Sequence, residues 1–211
     1  MKRISVLLGA LLLLVGNSQV FGADARELLS LLKNGNYVII FRHGATDDGQ
    51  KDIYPLKFDD MKAQRQLSEK GKETAHTIGV ALKEQGIPVG VVYTSRLNRA
   101  VETGQLLSGK EGLAVDALTD SSAGSVSGMA NPTGTNTKAG LAMRELINKL
   151  PETGANNLVV THKTNFADAF GKEAGDVQEA EAFVYKPNPA GSAIFVGRIK
   201  AVDWTRQSAA N

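Results

Sequence analysis

The chain has 211 residues, with 24 Lys and Arg, 22 Asp and Glu, and no Cys. The absence of cysteine excludes a small disulfide-stapled scaffold, so the fold has to rest on a hydrophobic core. The near balance of charge lacks the basic excess by which proteins bind nucleic acid, and the length suits one globular domain.

Residues 1–22 have the three-part layout of a secretory signal peptide: basic residues, an apolar run from Ile4 to Val15, and a polar stretch that ends in small residues. The apolar run is shorter than the roughly 18 residues that span a bilayer, which favours a cleaved leader over a membrane anchor. We expect cleavage after Gly22 or Ala25, no stable membrane insertion, and a periplasmic or secreted domain over residues 23–211. Cleavage after Gly22 would remove two basic residues and no acidic residue, which leaves a formally neutral chain.

The N-terminal half of this domain alternates predicted helices and strands. Leucines recur at helical spacing over residues 25–33, and the continuous apolar run YVIIF at 37–41 predicts a strand buried on both faces. Ser68 is a suitable N-cap for a helix over 67–85. The sequence GVVYT at 90–94 then predicts a second strand.

The C-terminal half continues this alternation and then closes on a hairpin. Its predicted elements are a helix over 97–107, a strand over 113–118, a helix over 138–150, a strand over 157–161, and hairpin strands over 181–186 and 192–199. Helices between strands imply right-handed crossovers, so we predict a three-layer α/β/α fold with a mostly parallel central sheet. The segment 121–137 is rich in Gly, Ser, Asn and Thr and is predicted to be a loop that forms a site wall. The segment 47–66 is predicted to form the other wall of the site, and its mixed charges are typical of a solvated surface.

Two histidines are placed where a parallel sheet binds its ligands, outside the carboxyl ends of the strands. His43 follows the first strand after Arg42, and His162 directly follows the strand over 157–161. Arg96 and Arg99 come after the second strand, and only one of these two neighbours need turn inward. Arginine presents a planar fork that matches phosphate oxygens, so the arrangement predicts a phosphate pocket.

Four segments, in this order along the chain, resemble the signatures of the histidine phosphatase, or phosphoglycerate mutase-like, superfamily of the branch 1 type. They are Arg42-His43-Gly44-Ala45-Thr46 (RHGxT), Leu67-Ser68-Glu69-Lys70-Gly71 (LSxxG), TSRLNRAVET at 94–103 (SxLxRAxxT) and Val160-Thr161-His162 (the strand of the second histidine). The resemblance spans nearly the whole of the predicted domain and implies a phosphoglycerate mutase-like fold.

The resemblance also implies a role for each matching residue. His43 would be the nucleophile, and Arg42, Arg99 and His162 would bind the phosphoryl oxygens, with Thr46 as a neutral donor. No metal ion and no cofactor would be required. The expected activity is hydrolysis of small phosphorylated substrates through a phosphohistidine.

The general acid of the family lies in a segment of pattern LxExxxGxxxG, which residues 118–128 match with Asp120 in place of the glutamate. Asp120 is therefore the candidate that would protonate the leaving oxygen. Glu181 is a second candidate. Other members carry an aspartate directly after the second histidine, where this chain has Lys163.

Two other functions are compatible with this sequence. A phosphomutase would return the phosphoryl group to its substrate, which requires the exclusion of water. An exported protein that binds a phosphorylated ligand without turnover would need the pocket and no chemistry. A metal-dependent hydrolase is disfavoured because two histidines at the sheet edge, with no HxxxH-like pair, are few ligands for zinc.

Overall fold

The structure is a computed structural model that describes residues 24–119 and 137–205. The predicted signal peptide, Asp120 and the predicted loop as far as residue 136 lie outside these residues. The helices are α1 (Ala25–Leu32), α2 (Glu69–Glu84), α3 (Asn98–Ser108), α4 (Thr137–Ile147) and α5 (Lys163–Phe170). The strands are β1 (Val38–Arg42), β2 (Val89–Thr94), β3 (Leu113–Ala114), β4 (Asn156–Thr161), β5 (Ala182–Lys186) and β6 (Ile194–Ile199).

The six strands form one sheet in the order β3, β2, β4, β1, β5, β6. The first four run parallel, whereas β5 is antiparallel to both of its neighbours, β1 and β6. The sheet is therefore mostly parallel, and the predicted closing hairpin is confirmed.

Strand β1 is buried on both faces because the sheet is covered on both sides. Ile39 and Phe41 pack in the cluster formed with α1, α2 and α3, whereas Val38 and Ile40 pack in the cluster formed with α4 and α5. Alternate residues of one continuous apolar run thus serve two cores. The predicted three-layer α/β/α fold is confirmed.

The strand predicted over 113–118 is wrong beyond its first two residues. Strand β3 stops at Ala114, and a turn of 3-10 helix follows over Asp116–Leu118. The chain turns inward there because Leu118 is fully buried against the α4 side of the sheet, and its carbonyl accepts a hydrogen bond of 2.7 Å from the Thr161 hydroxyl.

Helix α5 has no counterpart among the predicted elements. It has only eight residues, and His162 occupies its N-cap without a side-chain capping bond. The usual signs of a helix start and of a long amphipathic repeat are therefore missing. Within the described ranges, no helix is long and apolar enough to span a membrane.

Candidate active site

The two predicted site histidines lie side by side at the carboxyl edge of the sheet. Arg42 ends β1 and is paired in register with Thr161, the last residue of β4. His43 directly follows β1 and His162 directly follows β4, so two neighbouring parallel strands bring both imidazoles to one place. Their ring centroids are 5.1 Å apart, and the residues are only 4% and 3% exposed.

The backbone fixes which nitrogen of His43 carries the proton. Nδ1 lies 2.7 Å from the carbonyl oxygen of Gly44, which can only accept, so Nδ1 donates. Burial, with smaller effects of His162 and Arg99, lowers the pKa of His43 well below its usual value. A neutral imidazole protonated at Nδ1 has a lone pair at Nε2. His43 is therefore held in the form that can attack phosphorus.

Ser95 orients the imidazole ring of His162. Its hydroxyl oxygen lies 2.8 Å from Nε2 of the ring and accepts a hydrogen bond of 3.1 Å from the Leu97 N–H. When the hydroxyl donates its proton to Nε2, the ring proton lies on Nδ1. That Nδ1 is buried and has no hydrogen-bond partner in the described part of the chain. A buried N–H donor is therefore available for an oxygen of a ligand.

Burial has the largest effect on the pKa of His162 and lowers it well below the usual value. The positive charges of Arg99, Arg65 and Arg42 lower the pKa further, in that order of size. Both imidazoles are thus neutral at neutral pH, and the positive charge of the site belongs to its arginines.

The structure brings Arg42 and Arg99 to this pair of imidazoles, and the charge of each acts on His43. Arg99, in the first turn of α3, is only 1% exposed, and its Nη1 lies 3.0 Å from Oδ1 of Asp52. Arg42 donates from Nη2 to Oε1 of Glu179 at 3.2 Å. Both guanidinium groups are held in position by carboxylates from loops beside the sheet edge.

The other predicted site residues have different surroundings. Arg96 lies just before α3 and, unlike Arg99, does not turn inward. Its side chain contacts Asp116 at 3.2 Å and stacks 4.0 Å from the Phe58 ring centroid. Arg96 is thus not brought to the imidazoles by these contacts. Thr46 is half-buried and forms an isolated antiparallel bridge with Leu67.

Only one of the two candidate acids lies within the described residues. Asp120 lies outside the described residues, although Thr119 before it accepts a hydrogen bond of 3.0 Å from the Asn165 side chain in the first turn of α5. Glu181 is buried, and Arg198 binds its two oxygens at 2.9 and 3.0 Å. This bidentate pair gives Glu181 a structural role across the hairpin. Lys163 is exposed at the start of α5.

Sequence reasoning missed three residues at this site: Ser95, Asp52 and Arg65. Ser95 lies within the block that contains Arg99, and only its contact with His162 gives it a role. Asp52 and Arg65 belong to the mixed-charge segment 47–66, which was expected to be solvated. That expectation is wrong for these two, because Asp52 pairs with Arg99 and the Nε of Arg65 is buried. Within 24–119 and 137–205, no three His, Cys, Asp or Glu residues are grouped to hold a metal ion.

Two neutral imidazoles and two arginines at the edge of a parallel sheet form a site suited to a phosphoryl group. Residues 38–138 match the family model of the histidine phosphatase superfamily (branch 1). This match over just under half of the chain confirms the resemblance found in the sequence.

Curated relatives match a short part of the chain. A 2,3-bisphosphoglycerate-dependent phosphoglycerate mutase of Staphylococcus haemolyticus is 41% identical over 70 residues, which are 33% of this chain and 28% of the relative. A phosphoglycerate mutase of Candida albicans is 35% identical over 69 residues, which are 33% of this chain and 26% of the relative. The chain thus spans less than a third of the length of these relatives.

Solved structures match over most of their length. The protein histidine phosphatase SixA, in complex with tungstate, has a TM-score of 0.54 at 18% identity and covers 79% of this chain and 98% of its own. An α-ribazole-5′-P phosphatase from Escherichia coli, described as putative, has a TM-score of 0.53 at 16% identity, over 77% and 96% of the chains. At such low identity these likenesses establish the fold.

Proposed function

We propose that the protein is a metal-independent phosphomonoester hydrolase that acts through a phosphohistidine on His43, and that it works in the periplasm or outside the cell. The observation that carries the proposal is the contact of 2.7 Å between Nδ1 of His43 and the Gly44 carbonyl. It leaves the lone pair of a neutral imidazole on Nε2, close to Arg42, Arg99 and the buried Nδ1 of His162, which has no partner in the described residues.

The proposed reaction has two displacements at phosphorus. In the first, Nε2 of His43 bonds to phosphorus, the bond to the ester oxygen breaks, and that oxygen takes a proton from an acid, for which Asp120 is the candidate. In the second, water attacks the phosphohistidine and gives a proton to the conjugate base of that acid, the P–N bond breaks, and inorganic phosphate leaves with His43 neutral again.

The remaining groups stabilise the charge that develops on the equatorial oxygens. Arg42 and Arg99 supply fixed positive charge, and His162 donates from Nδ1 while Ser95 holds its ring. Removal of one such donor from a preorganised site typically costs about 100- to 1000-fold in kcat. The carboxylates of Asp52 and Glu179 keep the guanidinium groups oriented before substrate arrives.

A phosphomutase is the second candidate, because the curated relatives that match part of this chain are phosphoglycerate mutases. The two functions differ in the fate of the phosphohistidine. A mutase transfers the group back to an organic acceptor, whereas a hydrolase transfers it to water. Release of inorganic phosphate in step with the consumption of the ester favours the hydrolase.

The test is hydrolysis of p-nitrophenyl phosphate by the purified protein in the presence of a chelator. We expect turnover that survives chelation, is abolished in His43→Gln, and is retained in His76→Gln, where an exposed histidine of α2 is changed as the matched control. Turnover that needs a metal, or that persists in His43→Gln, contradicts the proposal. Phosphate binding without any turnover leaves a phosphate-binding protein as the function.

A further inference from the structure

A third arginine, Arg65, lies beside the two that the sequence analysis assigned to the phosphate pocket. Its backbone N–H donates to Oδ1 of Asp52 at 2.9 Å, and its carbonyl oxygen accepts from Nη1 of Arg99 at 3.4 Å. The main chain of Arg65 is therefore fixed against the guanidinium of Arg99. The residue is half-buried.

The three arginines differ in whether a carboxylate pairs with them. Asp52 pairs with Arg99 at 3.0 Å, and Glu179 pairs with Arg42 at 3.2 Å. Arg65 makes no ion pair with the carboxylates of the described chain, and its buried Nε has no hydrogen-bond partner there. A buried guanidinium nitrogen without an acceptor is costly, so a ligand that supplies one gains affinity.

The positive charge of Arg65 affects particular groups of the site. Its charge acts on His162 and on Arg42, and it lowers the pKa of each. The groups that act on His43 are His162, Arg99 and Arg42, and Arg65 is not among them. The main chain of Arg65 contacts Asp52 and Arg99 from the loop 47–66, so its positive charge is added to the site from that loop.

We propose that Arg65 binds a second anionic group of the substrate, next to the phosphoryl group that His43 accepts. The substrate class is then a phosphate ester that carries a further phosphate or a carboxylate close to the reacting phosphorus. This inference rests on the proposed function, since it assumes that Arg42, Arg99 and His162 are occupied by the transferring group. A planar guanidinium fork suits either of the two anions.

The competing role for Arg65 is to bind the transferring phosphoryl group itself. The two roles differ in which ligands lose affinity when the side chain of Arg65 is removed. A residue that contacts the phosphoryl group affects every phosphorylated ligand equally. A residue that contacts a second group affects only ligands that carry one.

The test is calorimetric binding of three stable anions to the purified protein: inorganic phosphate, methylenediphosphonate and phosphonoacetate. The second and third carry an additional phosphonate or carboxylate and so separate the two kinds of second group. The variants are Arg65→Gln, Arg65→Lys, which keeps a charge, and Arg26→Gln, which removes an exposed arginine of α1 as the matched control. Circular dichroism verifies that each variant is folded.

For whichever of the two probes with a second anionic group binds more tightly, we expect Arg65→Gln to lower the affinity by about 10- to 100-fold, the size of one lost charged hydrogen bond. The affinity for inorganic phosphate should change by less than about 3-fold. Arg65→Lys should recover part of the loss, and Arg26→Gln should show none. Equal weakening of all three anions, unchanged binding of all three, or no binding of any by a folded protein overturns the proposal.

Binding is measured here without turnover, so this test and the hydrolysis test fail separately. Suppose that Arg65→Gln loses affinity only for the probe with a second anionic group, and that the wild-type protein does not hydrolyse p-nitrophenyl phosphate. That result would refute the hydrolase and keep the role of Arg65. Turnover dependent on His43 with equal effects on the three anions would keep the hydrolase and refute that role.

Discussion

The burial of two neutral imidazoles makes the stability of this protein depend on pH in a specific range. The pKa values of His43 and His162 are lowered well below the usual value in the folded protein, chiefly by burial. In the unfolded chain both histidines titrate near pH 6.5. Below that pH the unfolded state binds more protons than the folded state, so stability is complete above about pH 6.5 and falls as the pH decreases.

The size of the effect follows from the linkage relation. A histidine that stays neutral in the folded state and titrates at about 6.5 when unfolded costs up to about 1.4 kcal/mol at pH 5.5, so the pair costs up to about 2.8 kcal/mol. At pH 5.0 the cost for the pair rises to about 4 kcal/mol, a large part of the stability of a typical domain.

Urea unfolding at intervals from pH 7.5 to 5.0, in buffers without phosphate, measures this dependence. The double variant His43→Gln, His162→Gln should lose most of the slope between pH 6.5 and 5.0, whereas His76→Gln on the exposed face of α2 should retain it. The comparison concerns slopes, so an overall loss of stability in the double variant does not affect it. Equal slopes in the wild-type protein and the double variant would refute the reasoning.

Three further predictions follow from contacts around the site. Ser95→Ala should cost about 1–3 kcal/mol in urea unfolding and lower kcat more than it changes KM, because Nε2 of His162 loses the hydroxyl group that orients the ring, whereas Ser95→Thr should recover kcat. Gly71→Ala should cost about 1–3 kcal/mol, since the added carbon would overlap the Ala45 carbonyl, and an unchanged urea midpoint would contradict this packing. Glu181→Gln should lower the thermal midpoint and leave kcat unchanged, whereas a large loss of kcat without loss of stability would return this residue to the role of acid.

The sequence predicted the fold well because its strongest signals are local. Alternate residues of the YVIIF run face two different cores, and this double burial is what a continuous apolar strand indicates. Adjacent parallel strands end at one edge, so the positions of His43 and His162 after their strands were sufficient to bring them together. Short elements such as β3 and α5 were misjudged or missed because two to eight residues carry little periodicity.

The electrostatics of the site could not be predicted from the sequence because they depend on contacts between distant segments. The ring of His162 is oriented by Ser95, which is 67 residues away in the chain. The pairing of Asp52 with Arg99 joins segments 47 residues apart. The mixed composition of the loop 47–66 gives no indication of which of its charges turn inward, since that choice follows from the position of α3 beside it.

The central claim is that His43 accepts the phosphoryl group, and its most direct test is to trap that intermediate. The protein is mixed with excess p-nitrophenyl phosphate, quenched in alkali within one turnover, digested, and analysed by mass spectrometry for phosphorylated peptides. The account predicts an acid-labile phosphate on His43 that appears and decays at the rate of turnover and is absent from His43→Gln. Turnover with phosphate on another residue, or with no phosphorylated histidine at any time, would contradict the account.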